Sequence, residues 1–282
     1  MKRTLAVLAL VLAACAPQGA DPAPTTLAPV ETSTTTTAPA EGPDCLAGDL
    51  PFAEQGIVAA LDSPQHDATT IGGIRWRAED GCDRVVIEFL AEGGSPATRL
   101  GPVGVTLAPD SGVVRVSLPD VVETSAIGDS LIARSLVDRI YVVEGVEDGL
   151  VIDVHLLARA AARAFTTTSP SRLVIDLRQT TDVPIGSAAD TSRQVVVTSP
   201  LPGPTLYPLQ VAGYAAPGVG GVRVTLLADG EVALERSVST FTEQHLWRSF
   251  LMTISDGPSG PVELRISAGG VEEAVVIEID LP

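Results

Sequence analysis

Three cysteines, three histidines and one serine flanked by an acid are the residues whose types and spacing could support chemistry. Cys45 and Cys82 stand 37 positions apart, far from the close spacing of a redox-active pair, and in an oxidising compartment two such cysteines most simply form a disulfide. The bridge would close a loop of about 38 residues and add at most ~4 kcal/mol through the entropy of the unfolded chain. His66 and Asp67 offer two adjacent ligand atoms, but a closed metal site takes three or four, and no further ligands are spaced to join them. His66 therefore reads as a solvated loop residue, and we expect no metal and no cofactor. HExxH, GxSxG and Gly-rich phosphate-loop patterns are absent.

Cys15 has different surroundings. Lys2 and Arg3 precede a short apolar run, Thr4 to Leu12, too brief to span a bilayer as a helix. Leu12-Ala13-Ala14-Cys15 then resembles a lipobox, the recognition site of lipoprotein signal peptidase. The resemblance implies cleavage before Cys15, a diacylglyceryl thioether on its sulfur and acylation of the new amine. The chemistry needs a thiol nucleophile, and small residues before it let the peptidase close on the backbone. Two or more acyl chains anchor stably where one would be marginal. Residues 1–14 are thus expected to be a lipoprotein signal peptide. The mature chain is expected on the extracytoplasmic face of the bacterial cell membrane, with the membrane as a partner through the anchor.

Residues 15–43 hold Pro17, Pro22, Pro24, Pro29, Pro39 and Pro43 and the run Thr34-Thr35-Thr36-Thr37, without hydrophobic periodicity. Proline fixes φ and removes a donor, so this segment reads as a disordered, extended tether reaching roughly 85 Å at most. The chain's net charge of −17 becomes −19 once Lys2, its only lysine, and Arg3 are removed. Without basic clusters, such a chain lacks the phosphate-binding term that dominates nucleic-acid recognition, and it is a poor match for anionic lipid headgroups. Aromatic residues are 4% of the chain, so Val, Leu, Ile and Ala must fill its cores.

From residue 44 to about 180 the pattern is β-rich. Asp83 to Phe89, Val113 to Leu118, Arg139 to Val143, Leu150 to Leu156 and Arg172 to Leu177 read as strands, the third and fourth forming a hairpin across Gly145 to Gly149. Ser130 to Asp138 is expected to form a short helix with Leu131, Ile132 and Leu136 on its apolar face. Ser130 sits in Gly128-Asp129-Ser130-Leu131, which spells the motif of the GDSL hydrolases. That family sets its base in a DxxH, whereas Asp153 lies two positions before His155 and neither His66 nor His245 has an acid at the required spacing. The βα alternation of such hydrolases is also missing, so no enzymatic activity is expected.

Gly81-Cys82-Asp83-Arg84-Val85-Val86-Ile87-Glu88-Phe89, followed much later by Phe165 and Ser169-Pro170-Ser171-Arg172-Leu173-Val174-Ile175-Asp176, resembles the AMIN-like domain of actinobacterial lipoproteins. The resemblance implies a small β-sandwich over residues 44–180 that targets envelope proteins or binds cell-wall polymer. Within these stretches Asp83, Arg84, Arg172 and Asp176 are candidate binding residues. The alternative, favoured here, is that they pair with one another at strand ends.

Residues 180 to 192 read as a linker, and seven alternating strands follow over 194–282. Gln194–Ser199, Tyr207–Gly213, Gly221–Leu227, Val232–Ser237, Leu246–Ile254, Val262–Ser267 and Val271–Leu281 are separated by turn signals such as Pro217-Gly218 and Asp229-Gly230. This is the pattern of an immunoglobulin-like sandwich. Val197-Thr198-Ser199-Pro200-Leu201, Val211-Ala212-Gly213-Tyr214-Ala215 and Asp229-Gly230 resemble the Gmad2 immunoglobulin-like domain of spore-germination and other exported bacterial proteins. That resemblance implies an envelope setting and brings no catalytic residues. Trp247 is either a core anchor, the favoured reading, or an exposed contact for a sugar or a partner.

The expected fold class is all-β, with two β-sandwich-like domains after a leader and tether. The expected function is non-catalytic: a lipid-anchored envelope protein binding peptidoglycan or an attached glycan. A structural adaptor for another exported protein, in an envelope or sporulation/germination assembly, is the alternative.

Overall fold

The computed structural model describes residues 45–282 apart from 80, 127, 146–148, 185–189, 193 and 241–245. The predicted lipidation site Cys15, the tether and His245 lie outside the described residues. Residues beyond the tether form one compact unit.

Twenty strands build it. The first eleven are β1 (Gly56–Leu61), β2 (Ala68–Glu79), β3 (Cys82–Ala91), β4 (Val103–Ala108), β5 (Val113–Leu118), β6 (Glu123–Thr124), β7 (Asp129–Arg134), β8 (Val137–Glu144), β9 (Leu150–Leu156), β10 (Ala158–Thr167) and β11 (Arg172–Pro184). The rest are β12 (Asp190–Thr191), β13 (Val195–Ser199), β14 (Gly203–Pro204), β15 (Leu209–Ala215), β16 (Gly221–Ala228), β17 (Glu231–Ser239), β18 (Trp247–Ile254), β19 (Gly260–Ala268) and β20 (Ala274–Leu281). No helix occurs among the described residues.

A long sheet runs β1-β4-β5-β9-β8-β18-β15-β13-β12, with β7 added beside β8. One five-stranded sheet, β10-β11-β3-β2-β6, packs on its first half, and another, β14-β20-β19-β16-β17, packs on its second. The cause is alternation. Val114, Val116 and Leu118 of β5, with Ile152 and Val154 of β9, meet Val85, Ile87 and Phe89 of β3 and Leu173, Ile175 and Leu177 of β11 in one core. A second core gathers Val222, Val224 and Leu226 of β16, Leu264 and Ile266 of β19, Val211 of β15 and Phe250 of β18. The protein is therefore two β-sandwiches sharing one sheet.

The join is short. β8 and β18 run parallel and pair only Trp247 with Val143 and Arg248 with Glu144. An Arg248–Glu144 ion pair and a hydrogen bond from Ser249 Oγ to the Glu144 carbonyl (2.8 Å) reinforce it.

The structure departs from the sequence reading in two stretches. Ser130 to Asp138 is not a helix: β7 pairs with β8, and Ala133 and Ser135 take positive φ (48° and 56°) to turn the chain. The physical reason is a carboxylate 52 to 54 residues away in sequence: Asp83 accepts the Leu136 and Val137 N–H groups (3.1 Å each) and the Ser135 hydroxyl (2.7 Å), holding a tight turn where a helix would continue. The predicted linker is also shorter, because β11 continues to Pro184 and reaches Ala158 of β10.

Gly213 of β15 marks the closest approach within the second half. A Cβ there would lie 2.0 Å from the Val196 carbonyl oxygen and 3.0 Å from the Phe250 ring. Gly213→Ala is expected to destabilise by about 1–3 kcal/mol through overpacking. A denaturant midpoint that falls at constant m-value would show it, and an unchanged midpoint would mean that β15 moves away freely.

Candidate functional site

Of the four predicted polar residues of the first half, Arg84 and Asp176 come together, in a buried cluster. Arg84 and Asp176 are cross-strand neighbours on β3 and β11, as are Asp176 and Arg163 on β11 and β10. Arg84 donates through Nε (2.6 Å) and Nη2 (2.9 Å) to the two Asp176 oxygens, and Arg163 Nε adds a third bond at 3.0 Å. All three are buried. Arg163 also donates to the carbonyls of Cys45 (2.9 Å) and Ala47 (2.5 Å), and its guanidinium stacks 4.8 Å from the Phe52 ring. The segment from Cys45 to Phe52 is thereby held across the outer face of this sheet. Asp83 points the other way, accepting Trp76 Nε1 (3.0 Å) as well as the β7–β8 turn. Arg172 sits apart from these two clusters, paired with Glu88 at 3.0 Å.

Cys45 and Cys82 form a disulfide, with Cα atoms 6.4 Å apart. With Glu79 they make the one group of three His, Cys, Asp or Glu residues within ligand reach of each other among the described residues. The sulfurs are consumed by the bridge, and Glu79 accepts the Cys45 N–H at 2.7 Å, so the group offers no thiolate to a metal.

Trp247 is buried, on the outer face of the long sheet at the join. It meets Tyr141 edge-on (5.1 Å between ring centroids) and packs with Val143, Val196 and Tyr214 in a third apolar cluster. A polar chain runs beside it. Tyr214 donates to Asp153 Oδ2 (2.5 Å), its oxygen lies 2.9 Å from His155 Nε2, and Arg115 closes on Asp153 with bonds of 2.9 and 2.6 Å. With the phenol proton committed to Asp153, His155 is the donor to the Tyr214 oxygen. Burial, together with the Asp153 charge and hydrogen bond, raises the Tyr214 phenol well above its usual range. The Asp153 hydrogen bond likewise raises Arg115. Desolvation lowers His155, against the pull of Asp153. A neutral imidazole, a phenol that stays protonated and an ion pair together make a clamp between the sandwiches.

The clamp has a pH signature. The unfolded chain protonates His155 near its ordinary value of 6.5, and the folded state does so only at lower pH. Between those values the unfolded state binds more protons, so stability falls as pH drops below about 6.5. The acid-side slope of the melting temperature between pH 7 and 5 should shrink in His155→Gln, and an identical slope would exclude this origin.

Ser130 pairs with Ile140, which pairs with Val154; His155 is one residue on and faces the other way. The GDSL serine and His155 therefore project from opposite faces of the long sheet.

An open depression of about 710 Å³ is lined by Gln65, His66, Asp67, Thr98, Arg99, Thr168 and Ser169 of the first sandwich. Asp67 organises it. Its carboxylate accepts the N–H groups of Thr98 (2.9 Å) and Arg99 (2.8 Å) and the Thr98 hydroxyl (2.9 Å). Partial desolvation opposes its charge, but these bonds outweigh that and hold the carboxyl below its ordinary value. His66 is held by Asp120 (3.3 Å) and by the Ser63 carbonyl (3.1 Å). Apart from His66 and Asp67, which the sequence reading treated as a loop, none of these residues carried a signal, because the depression forms only when three loops meet. A smaller groove of about 200 Å³ lies at the join, between Arg115, Tyr214, Ser249 and half-exposed Leu251.

Fold and sites together define an all-β, double-sandwich protein with a clamped join and an open polar depression. Comparison with protein-family models, curated proteins and solved structures gives no match.

Proposed function

We propose that the protein is a lipid-anchored, non-catalytic envelope lipoprotein that binds cell-wall polymer at the depression around Asp67 and Arg99. In this reading residues 44–180 are the AMIN-like domain and 194–282 the Gmad2-type domain, displayed on the extracytoplasmic side by the tether. The depression is the observation that carries it: an open, polar, loop-built surface with hydroxyl, amide and guanidinium groups, its backbone fixed by Asp67. Binding groups on loops held by a rigid sandwich are a recurrent arrangement, and hydroxyls and amides suit a glycan with peptide stems. The opposed directions of Ser130 and His155 support a non-catalytic role. The groove beside Leu251 favours the second reading, an adaptor for another exported protein.

The test is co-sedimentation of the chain from Cys15 onward with insoluble cell-wall sacculi. Saturable pelleting, weakened roughly ten-fold by Arg99→Ala with Thr168→Ala, the loss of about 1.4 kcal/mol of polar contact, is the expected result. Protein left in the supernatant at all salt concentrations would overturn the reading and direct the search to protein partners.

A further inference from the structure

The outer face of the first five-stranded sheet collects arginine. The residues that alternate with core positions there are Arg75 and Arg77 on β2, Arg84 on β3, Arg163 on β10, and Arg172 and Arg178 on β11. The acids sharing this face are Glu79, Glu88 and Asp176, with Asp49 on the segment laid across it. Among these described residues six arginines against four acids leave a formal excess of two positive charges on a chain whose net charge is −17, with Arg75 and Arg172 paired to Glu88 and Arg77 paired to Glu79. Arg84 and Arg163 are buried on Asp176, but the side chains of Arg75, Arg77 and Arg172 are 53%, 30% and 24% exposed and Arg178 is open to solvent. Beside them, on the covering segment, Leu46 and Leu50 are 41% and 51% exposed.

The first described residue also lies on this face. Cys45, the first described residue, is bridged to Cys82 at the start of β3. We propose that this face docks on the anionic headgroups of the bilayer that holds the lipid anchor. The proposal rests on the anchoring at Cys15 and is independent of wall binding. Charge attraction to a membrane decays within a Debye length, about 8 Å at physiological salt, so the arginine face is felt and the acidic remainder of the molecule is not. The affinity needed is small. An anchor on Cys15, 30 positions before Cys45, would make the docking an intramolecular event. Leu46 and Leu50 add apolar contact at the boundary, in the pattern of arginine beside leucine that interfacial segments use.

The test couples the chain from Cys15 onward, through the Cys15 thiol, to a maleimide lipid in supported bilayers, so the result does not depend on natural lipidation. Neutron reflectometry then reads the water layer between headgroups and folded protein. On mixed phosphatidylcholine/phosphatidylglycerol bilayers at low salt that layer should be absent. It should appear at high salt, on pure phosphatidylcholine, and in Arg75→Gln/Arg172→Gln/Arg178→Gln, whose changes touch exposed side chains. The same layer on both bilayers, or a docked triple variant, would overturn the proposal. No docking on mixed bilayers combined with arginine-dependent binding of soluble polygalacturonate would overturn it too, and assign the face to an acidic polysaccharide.

Discussion

Asp176→Ala is expected to destabilise the protein by about 3–5 kcal/mol, the largest single effect of any polar substitution in it. The carboxylate is fully buried and is the shared counter-ion of two buried guanidiniums. Removing it leaves Arg84 and Arg163 facing each other across the strand between them, with neither water nor acid to compensate. Much of the loss comes from the stranded arginines, so Asp176→Leu combined with Arg84→Met and Arg163→Met should recover most of the stability. Chemical denaturation of the three variants measures both effects. If the single variant unfolds within about 1 kcal/mol of the parent, the triad is not the buried network described above.

The second large effect is at the join. Trp247→Ala should cost about 3–5 kcal/mol by truncating a buried aromatic, and the loss should separate the two halves of the molecule. Trp247 supplies both the ring that meets Tyr141 and one of only two backbone pairs linking β18 to β8. The clamp of Tyr214, Asp153 and His155 lies behind it, and once the ring is gone water reaches those groups. The substitution leaves Trp76, on β2, as the sole tryptophan and hence a probe of the first sandwich alone. Fluorescence and far-ultraviolet circular dichroism should coincide in the parent and diverge in the variant. Coincident curves would show that the shared sheet, not the aromatic cluster, carries the coupling.

The strands with clean alternation were legible in the sequence. Val114, Val116 and Leu118 against Arg115 and Ser117, and Val262, Leu264 and Ile266 against Glu263 and Arg265, lie as the period of two requires. β10 was not legible: the first seven residues of Ala158–Thr167 are five alanines and two arginines, and alanine carries little strand signal although Ala160 and Ala162 are core residues. β2, with its two bulges, lost its period in the same way. The helix expected at Ser130 to Asp138 failed because Asp83 enforces the turn from outside the window. The clamp at the join was half visible. Asp153 and His155, two apart on a strand, must share a face, but Tyr214 lies 61 residues from Asp153 and only the fusion of the sheets brings it there. The arginine face was hidden by net charge, which averages over a surface that the fold then divides.

The position of the disulfide has a mechanical consequence. β3 is the central strand of its sheet, bonded to β2 on one side and β11 on the other, and Cys82 is its first residue. In the proposed anchored form, a pull arriving at Cys45 would therefore enter at one end of β3, while the polar depression lies at the opposite end, where Thr98 and Ser169 meet. Load between anchor and wall would run along the strand, shearing both of its ladders at once instead of unzipping them pair by pair. The same bridge that closes a loop in the unfolded chain thus places the handle where the sheet resists extension best.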